Sequence, residues 1–514
     1  MSSAMNSEIS TSFFWHDYET FGTNPRRDWP AQFAGVRTDA DLVEIEAPMQ
    51  FHCQPPTDRL PEPEACLLTG LTPQRVAHDG LTEAEFAARI HAELSRPGTI
   101  GVGYNSIRFD DEVSRFLFWR NLIEPYGREW QNGCGRWDLL DALRCAWALR
   151  PDGMVWPTHP DGRPSFRLED LTAANGLQHD SAHEALSDVR ATLALARKLR
   201  QAQPKLFEFC LKLRSKAAVQ KEIATAQGQG RPFLHISGMY GTERGSLAVV
   251  WPLANHPVNR NEVIVWDLTF DPAELMRLDA ETVRRRLFSR ADALPAGETR
   301  LPIKTIHINK SPVVISSLGT LSRERAAHWG IDLDQTLRHA EVARQLSPTL
   351  LGLWTEVYGE TDADRTAARP DVDEDLYGGF LSSNDRKLLD QLRTLSRTQS
   401  FEQLAVRLID RPPLFEDERL DELLLRYRAR NALQTLTPAE QQRWQQHCQA
   451  RLIEGQGGTL TLEAFMNRLD ALGQALYGED DGTQGSAEPD EAALERAEAI
   501  LSDLQDWAGQ IAPE

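Results

Sequence analysis

Residues 13–22 read FFWHDYETFG, a short apolar strand that ends in a turn, and its strand character decides how the first part of the chain folds. Successive side chains on a strand point to opposite faces, so Asp17 and Glu19, two apart, project from the same one. Two carboxylates side by side make a divalent-cation site, and hard oxygen ligands suit Mg²⁺ or Mn²⁺. Taken alone, Asp-x-Glu is also what an exposed polar strand face looks like.

Outward from this strand, helix alternates with strand. QFAGVRTDADLVEI (32–45) predicts two strands around the polar turn 38–41. Thr82 and Glu85 form a capping box that opens a helix with Phe86 and Ile90 on one face. TIGVGYN (99–105) predicts a buried strand, and ligand groups in parallel sheets gather at strand C-termini. Asp110, just beyond, is therefore either a third carboxylate of the site or the N-cap of a helix starting at Glu112, a role that Asp111 fills equally well. SAHEALSDVRA (181–191) offers His183 and Asp188. On one helix they would lie roughly 140° apart, so they converge only if His183 sits at or before the helix start.

The remainder of the chain divides by pattern. At 514 residues, and about 150 residues per domain, three domains are expected. The α/β domain spans 13–202. Residues 203–358 are β-rich, with strand patterns in RPFLHISGMYG, GSLAVVWPLA, NEVIVWDLTF and LPIKTIHINKSPVVI and a helical insert near 273–287. Residues 359–375 are acidic and poor in apolar residues, which predicts a solvated linker. Residues 376–514 are helical, with a capping box at Thr437 and Glu440 and an acidic stretch at 479–491 that predicts a flexible loop.

Composition narrows the function. With 41% hydrophobic residues, 13 Trp and 19 Phe the chain is globular. A net charge of -20 excludes a protein whose whole surface grips nucleic acid, though not one with a local basic groove. Residues 1–12 show no basic stretch followed by an apolar core, and no run is long enough to cross a bilayer, so a soluble cytoplasmic protein is expected. The six cysteines include no C-x-x-C pair, which fits reduced thiols.

Carboxylate pair, third Asp and later His-x-x-x-x-Asp fall in order within one α/β domain. In that combination the chain resembles the DEDDh family of 3′ to 5′ exonucleases, with Asp17, Glu19, Asp110, His183 and Asp188 at the motif positions. HISGMYG, NRNEVIVWDL, IHINKSPVV, LYGGFLS and RYRARNALQTLTPAEQQRW extend the resemblance to the bacterial exonuclease I family over nearly the whole chain. It implies an α/β fold: a ribonuclease H-like DEDDh domain, then an SH3-like β domain and a C-terminal helical domain, together enclosing single-stranded DNA. The activity implied is 3′ to 5′ hydrolysis of single-stranded DNA to 5′-mononucleotides in DNA repair and recombination.

The same resemblance implies two Mg²⁺ ions, replaceable by Mn²⁺. Asp17, Glu19 and Asp188 would hold one, Asp17 and Asp110 the other, and His183 would take the proton of the attacking water. Glu19, Arg167, Arg115, Tyr126, Trp130, Arg144 and Lys310 resemble substrate-contacting positions. Ordinary surface charge and core aromatics are the simpler reading of most of them. Arg150 and Arg231 resemble a docking site for the acidic C-terminal tail of single-stranded DNA-binding protein. A monomer without membrane contact is expected. The competing functions are a DEDDh exoribonuclease or proofreading nuclease, which would match the first domain only, and a non-catalytic single-strand-binding scaffold, which has no reason to keep all five motif residues.

Overall fold

The computed structural model describes residues 11–179, 182–361, 369–396, 415–477 and 491–513. The acidic stretch at 479–490 lies outside them. In the first domain, β1 (Ser12–Thr20) is central to a five-stranded sheet ordered β3-β2-β1-β4-β5. The antiparallel partners β2 (Pro30–Thr38) and β3 (Met49–His52) lie on one side, and the parallel strands β4 (Thr99–Gly103) and β5 (Gly135–Asp138) on the other. The second strand expected within 32–45 is not formed. After the turn the chain makes one bridge, Thr38 to Glu44, and pairing resumes only at Met49.

Alternation along β1 feeds two cores. Phe14 and Tyr18 pack with Phe33 against α3 (Glu83–Leu94) and α4 (Asp110–Arg120). Phe13 and Trp15 face the other layer, with α5 (Leu139–Leu149) and α7 (Ala185–Ala202). Short helices α1 (Pro63–Thr69), α2 (Pro73–Asp79) and α6 (Leu168–Ala174) complete the domain. The Thr82 box is half made: its hydroxyl accepts the Glu85 amide at 3.3 Å, but the Glu85 carboxylate meets that same hydroxyl instead of the Thr82 amide. At Thr437 and Glu440 both reciprocal bonds are present.

Helix α7 ends at Gln203, and two helices, α8 (Pro204–Lys212) and α9 (Lys216–Gly228), lead to the second sheet. That sheet is antiparallel, ordered β10-β6-β7-β8-β9: β6 (Phe233–Ile236), β7 (Leu247–Asn255), β8 (Glu262–Asp267), β9 (Ile303–His307) and β10 (Val313–Ile315). Phe207 and Cys210 of α8 and Val219 and Ile223 of α9 join the apolar cluster that begins at Trp15 and continues through Trp266. One core therefore runs through both domains.

The C-terminal region is helical, and its last helix, Glu491–Ile511, returns to α1 and α2, burying Leu504 and Ala508 beside Phe86. A solvated linker over 359–375 is what the structure overturns at its C-terminal end. Asp373 is fully buried and accepts hydrogen bonds from Arg430 (2.7 Å), Arg451 (2.8 Å), Arg426 (3.0 Å) and Arg59 (3.3 Å). Asp58, from the first domain, shares Arg430 and Arg451 at 2.8 and 3.1 Å. Acidity here marks half of a buried ion cluster, whose arginines come from Arg59 in the first domain and from Arg426, Arg430 and Arg451 further on in sequence.

Burial alone would raise the Asp373 and Asp58 carboxyls, yet the arginines, Arg430 first, hold both well below the usual range. A depressed carboxyl stabilises the fold fully above its unfolded pKa and loses that contribution only as pH falls through the folded value. The junction is therefore intact above about pH 4. Asp373→Ala leaves several guanidinium groups uncompensated and should lower stability by about 3–5 kcal/mol at pH 7. Denaturant unfolding measures this, and limited proteolysis should show early release of the C-terminal helices.

Candidate active site

Asp17 and Glu19 continue the Phe13–Trp15 face of β1 toward α7, and Asp188 lies in the first turn of that helix. One oxygen from each of the three carboxylates lies within 4.8 Å of the others. The start of α7 is pinned to the sheet, because the Ala185 amide donates to Gln32 Oε1 of β2 at 3.1 Å. His183 precedes the helix in the left-handed region, φ +64°, which removes the 140° offset of a continuous helix. Its amide hydrogen-bonds the Asp188 carboxylate.

The imidazole that contacts Asp188 is a different one. His179 Nε2 lies 2.6 Å from Asp188 Oδ1, and its Nδ1 lies 3.2 Å from Thr172 Oγ1 of α6. Sequence reasoning missed His179, because spacing pointed only to the nearer histidine. A histidine nine residues upstream of Asp188 carries no spacing signal of its own.

Asp110 is the first residue of α4, which begins two residues earlier than expected, so the N-cap reading fails. Its Oδ1 accepts the Tyr18 amide at 3.2 Å, which seats it on β1 between the two other carboxylates in sequence. Asp111 has the opposite fate. Burial would raise it, but Arg128 (2.6 Å) and Arg136 (2.9 Å) hold it well below the carboxylate range. The loop before α4 depends on Asp138 at the end of β5, another residue not singled out by sequence. Its oxygens accept the amides of Asn105 (3.0 Å) and Ile107 (3.2 Å). Asn105 is left-handed at φ +61°, and a Cβ on Gly103 would meet Ser106 Cβ at 2.6 Å, so the turn admits little variation.

The electrostatics follow from crowding. Burial, then Asp110, Glu19 and Asp188 in turn, push Asp17 well above its ordinary value. Burial and Asp188 push Glu19 to about 8. Asp110 is raised mainly by burial, and Asp188 by burial against the lowering effect of His179. All the donors are hard oxygens and like charges repel without a cation, so the set fits a divalent metal such as Mg²⁺ or Mn²⁺. Asp110 lies outside the three-carboxylate group but close enough to Asp17 to raise it.

The expected strand-contacting residues separate into two groups. Arg167 precedes α6 with 63% of its side chain exposed, paired to Glu169, and Trp130 is 68% exposed. Lys310 is partly exposed beside Glu112. Arg115, by contrast, is buried and committed to Glu112 and to both oxygens of Glu129, with Tyr126 stacked below it at 5.5 Å. Arg144 is paired to Asp141 at 2.7 Å. Arg115 is closed off from solvent and Arg144 only partly exposed, and each neutralises carboxylates of its own domain. Trp130 and Tyr126 line a cleft of about 770 Å³ closed on the far side by Leu389 and Phe380 of the C-terminal region. Phe380, 93% exposed, was not singled out by sequence. Arg231 is exposed, and Arg150 donates to the carbonyls of Leu149 and Thr320 at 2.6 and 3.0 Å.

Known proteins bear on this geometry. Residues 14–196 match the family described as Exonuclease, residues 214–360 the Exonuclease I SH3-like domain and residues 370–511 the Exonuclease I C-terminal domain. The chain is 43% identical over 459 residues to an exodeoxyribonuclease I from Haemophilus influenzae, covering 89% of this chain and 93% of that protein. It superposes on E. coli exonuclease I in complex with a dA16 oligonucleotide with a TM-score of 0.85 at 39% identity, covering 98% of this chain and 100% of the other. An SSB/exonuclease I structure in complex with the inhibitor CFAM gives a TM-score of 0.83 at 39% identity, with the same coverage of both chains.

The crowding has a thermal signature. In chelator, the stability contributed by protonated Glu19 is full below its ordinary value near 4.5 and is lost as pH rises through about 8. Glu19→Gln should therefore raise the melting temperature of the metal-free protein by about 2 °C or more at pH 9, and by less at pH 5. Adding Mg²⁺ should stabilise the wild type and not Asp17→Asn, as thermal unfolding in chelator and in Mg²⁺ will read out.

Proposed function

The chain belongs to the exonuclease I family and is an exodeoxyribonuclease; from that premise we propose that it removes 5′-mononucleotides from the 3′ end of single-stranded DNA with two divalent cations, acting in DNA repair and recombination in the cytoplasm. The observation that carries the reading is the convergence of Asp17, Glu19 and Asp188, with Asp110 beside them. When bound, the cations supply the positive charge that activates the attacking water and stabilises the leaving oxygen. Asp17, Glu19 and Asp188 would hold one and Asp17 with Asp110 the other.

This chain's own groups do the rest. His183 takes the proton of the attacking water, from a position before α7 where its ring is partly exposed. His179 orients Asp188 by occupying one of its oxygens. Asp138 holds the loop that delivers Asp110. Arg167 offers an exposed cation to the terminal phosphate, and Trp130 and Tyr126 offer faces on which bases stack. A structure of a related enzyme with SSB supports single-stranded DNA-binding protein as partner, with Arg150 and Arg231 receiving its acidic tail. No described helix is long and apolar enough to cross a membrane.

Incubation with Mg²⁺ and end-labelled strands of DNA and RNA tests polymer, polarity and product together. A 3′ label should leave first as a mononucleotide, and blunt duplex should be degraded poorly. Label released first from the 5′ end would overturn the proposal. His183→Ala should lose roughly 10²–10⁴ in rate and keep DNA binding, whereas an unchanged rate would make the histidine structural. Arg150→Glu or Arg231→Glu should weaken binding of a tail peptide in a salt-sensitive manner and spare hydrolysis of naked DNA.

A further inference from the structure

Glu112 of α4 is nearly buried, and both of its oxygens are engaged. Oε1 accepts from Arg115 Nη1 at 2.6 Å and lies 3.7 Å from Lys310 Nζ. Oε2 accepts the Tyr377 hydroxyl at 2.7 Å. Arg115 shares its helix, Lys310 lies in the turn after β9, and Tyr377 lies in the segment that enters the C-terminal helices. One carboxylate thus joins all three domains.

The surrounding charges extend the grip. The other edge of Arg115 meets Glu129 at 2.7 and 2.9 Å, and Glu129 lies 3.2 Å from Arg136 Nε. Arg136 donates to the Asn309 carbonyl at 3.0 Å, and Ser311 Oγ donates to the Arg136 carbonyl at 3.1 Å. The turn carrying Lys310 is held on both sides by the first domain. Charge-assisted bonds in such a dry setting are strong and directional, so they fix relative placement as well as add stability.

We propose that Glu112 is a positioning residue that keeps the three domains in register around a bound strand, and that it governs how long the strand is held and not how fast the bond breaks. Two features favour this over a purely local role. Its ligands come from three domains, and Arg115, stacked over Tyr126, ties the same carboxylate to the wall of the aromatic cleft. At 100° per residue, Glu112 also lies about 200° around α4 from Asp110, so it faces away from the carboxylate cluster.

The inference rests on the single-strand reading above, and its test separates the two. Glu112→Gln keeps the shape and loses the charge, while Tyr377→Phe keeps the ring and loses one bond. Dissociation of a long labelled DNA strand from the chelator-treated protein should accelerate about tenfold in the first variant and about threefold in the second. Turnover of a trinucleotide with Mg²⁺ should stay within about twofold of wild type. Unchanged dissociation in both variants overturns the proposal. So does an equal fall in trinucleotide turnover, which would place Glu112 in the chemistry or in folding. Failure of the wild type to hydrolyse any DNA would defeat the functional reading instead, whatever the variants do.

Discussion

Everything else in the molecule is arranged around a repulsion. Four carboxyl groups that would avoid each other in water are brought together at β1 and the beginnings of two helices, and burial raises the cost of charging them. Holding them there requires strong local geometry. The strand supplies two positions at fixed spacing, Gln32 fixes the start of α7, and Asp138 fixes the loop before α4. The last two supports are backbone amides meeting the side-chain oxygens of Gln32 and Asp138, so those bonds do not occupy the oxygens of the cluster itself.

The wider architecture solves a second problem of charge. A chain with a net charge of -20 that handles a polyanion needs its cations in the right place and its carboxylates neutralised elsewhere. Much of the arginine is therefore spent inside the molecule, on Asp111, Glu129, Asp58 and Asp373. Other cations, Arg167 and Arg231 among them, stay exposed.

The sequence carried the parts of this that depend on local periodicity. Strand alternation fixed the common face of Asp17 and Glu19, helical period found α3, α4 and α7, and turn residues bounded the second sheet. The five motif residues were legible because their order and elements agree, although Asp110 stands in the first turn of its helix and the ring on Asp188 is that of His179. What failed were readings that need partners distant in sequence. An acidic run looks the same whether it meets water or arginines from another domain, so Asp371 and Asp373 read as linker. The ion pairs of Arg115 and Arg144 were invisible for the same reason, since nothing in the order of residues tells how a guanidinium is occupied. The left-handed turn at His183 was only a condition in the sequence, because φ is set by what the following helix must pack against.

The apolar cluster that passes from Trp15 through Phe207 to Trp266 has no seam at residue 203. Cooperative unfolding follows the contiguity of a core and not the count of sheets within it. The first two domains should therefore melt as one thermodynamic unit. A polypeptide ending at 202 would leave the apolar side of its α5 and α7 layer without α8, and would aggregate where the whole chain stays folded.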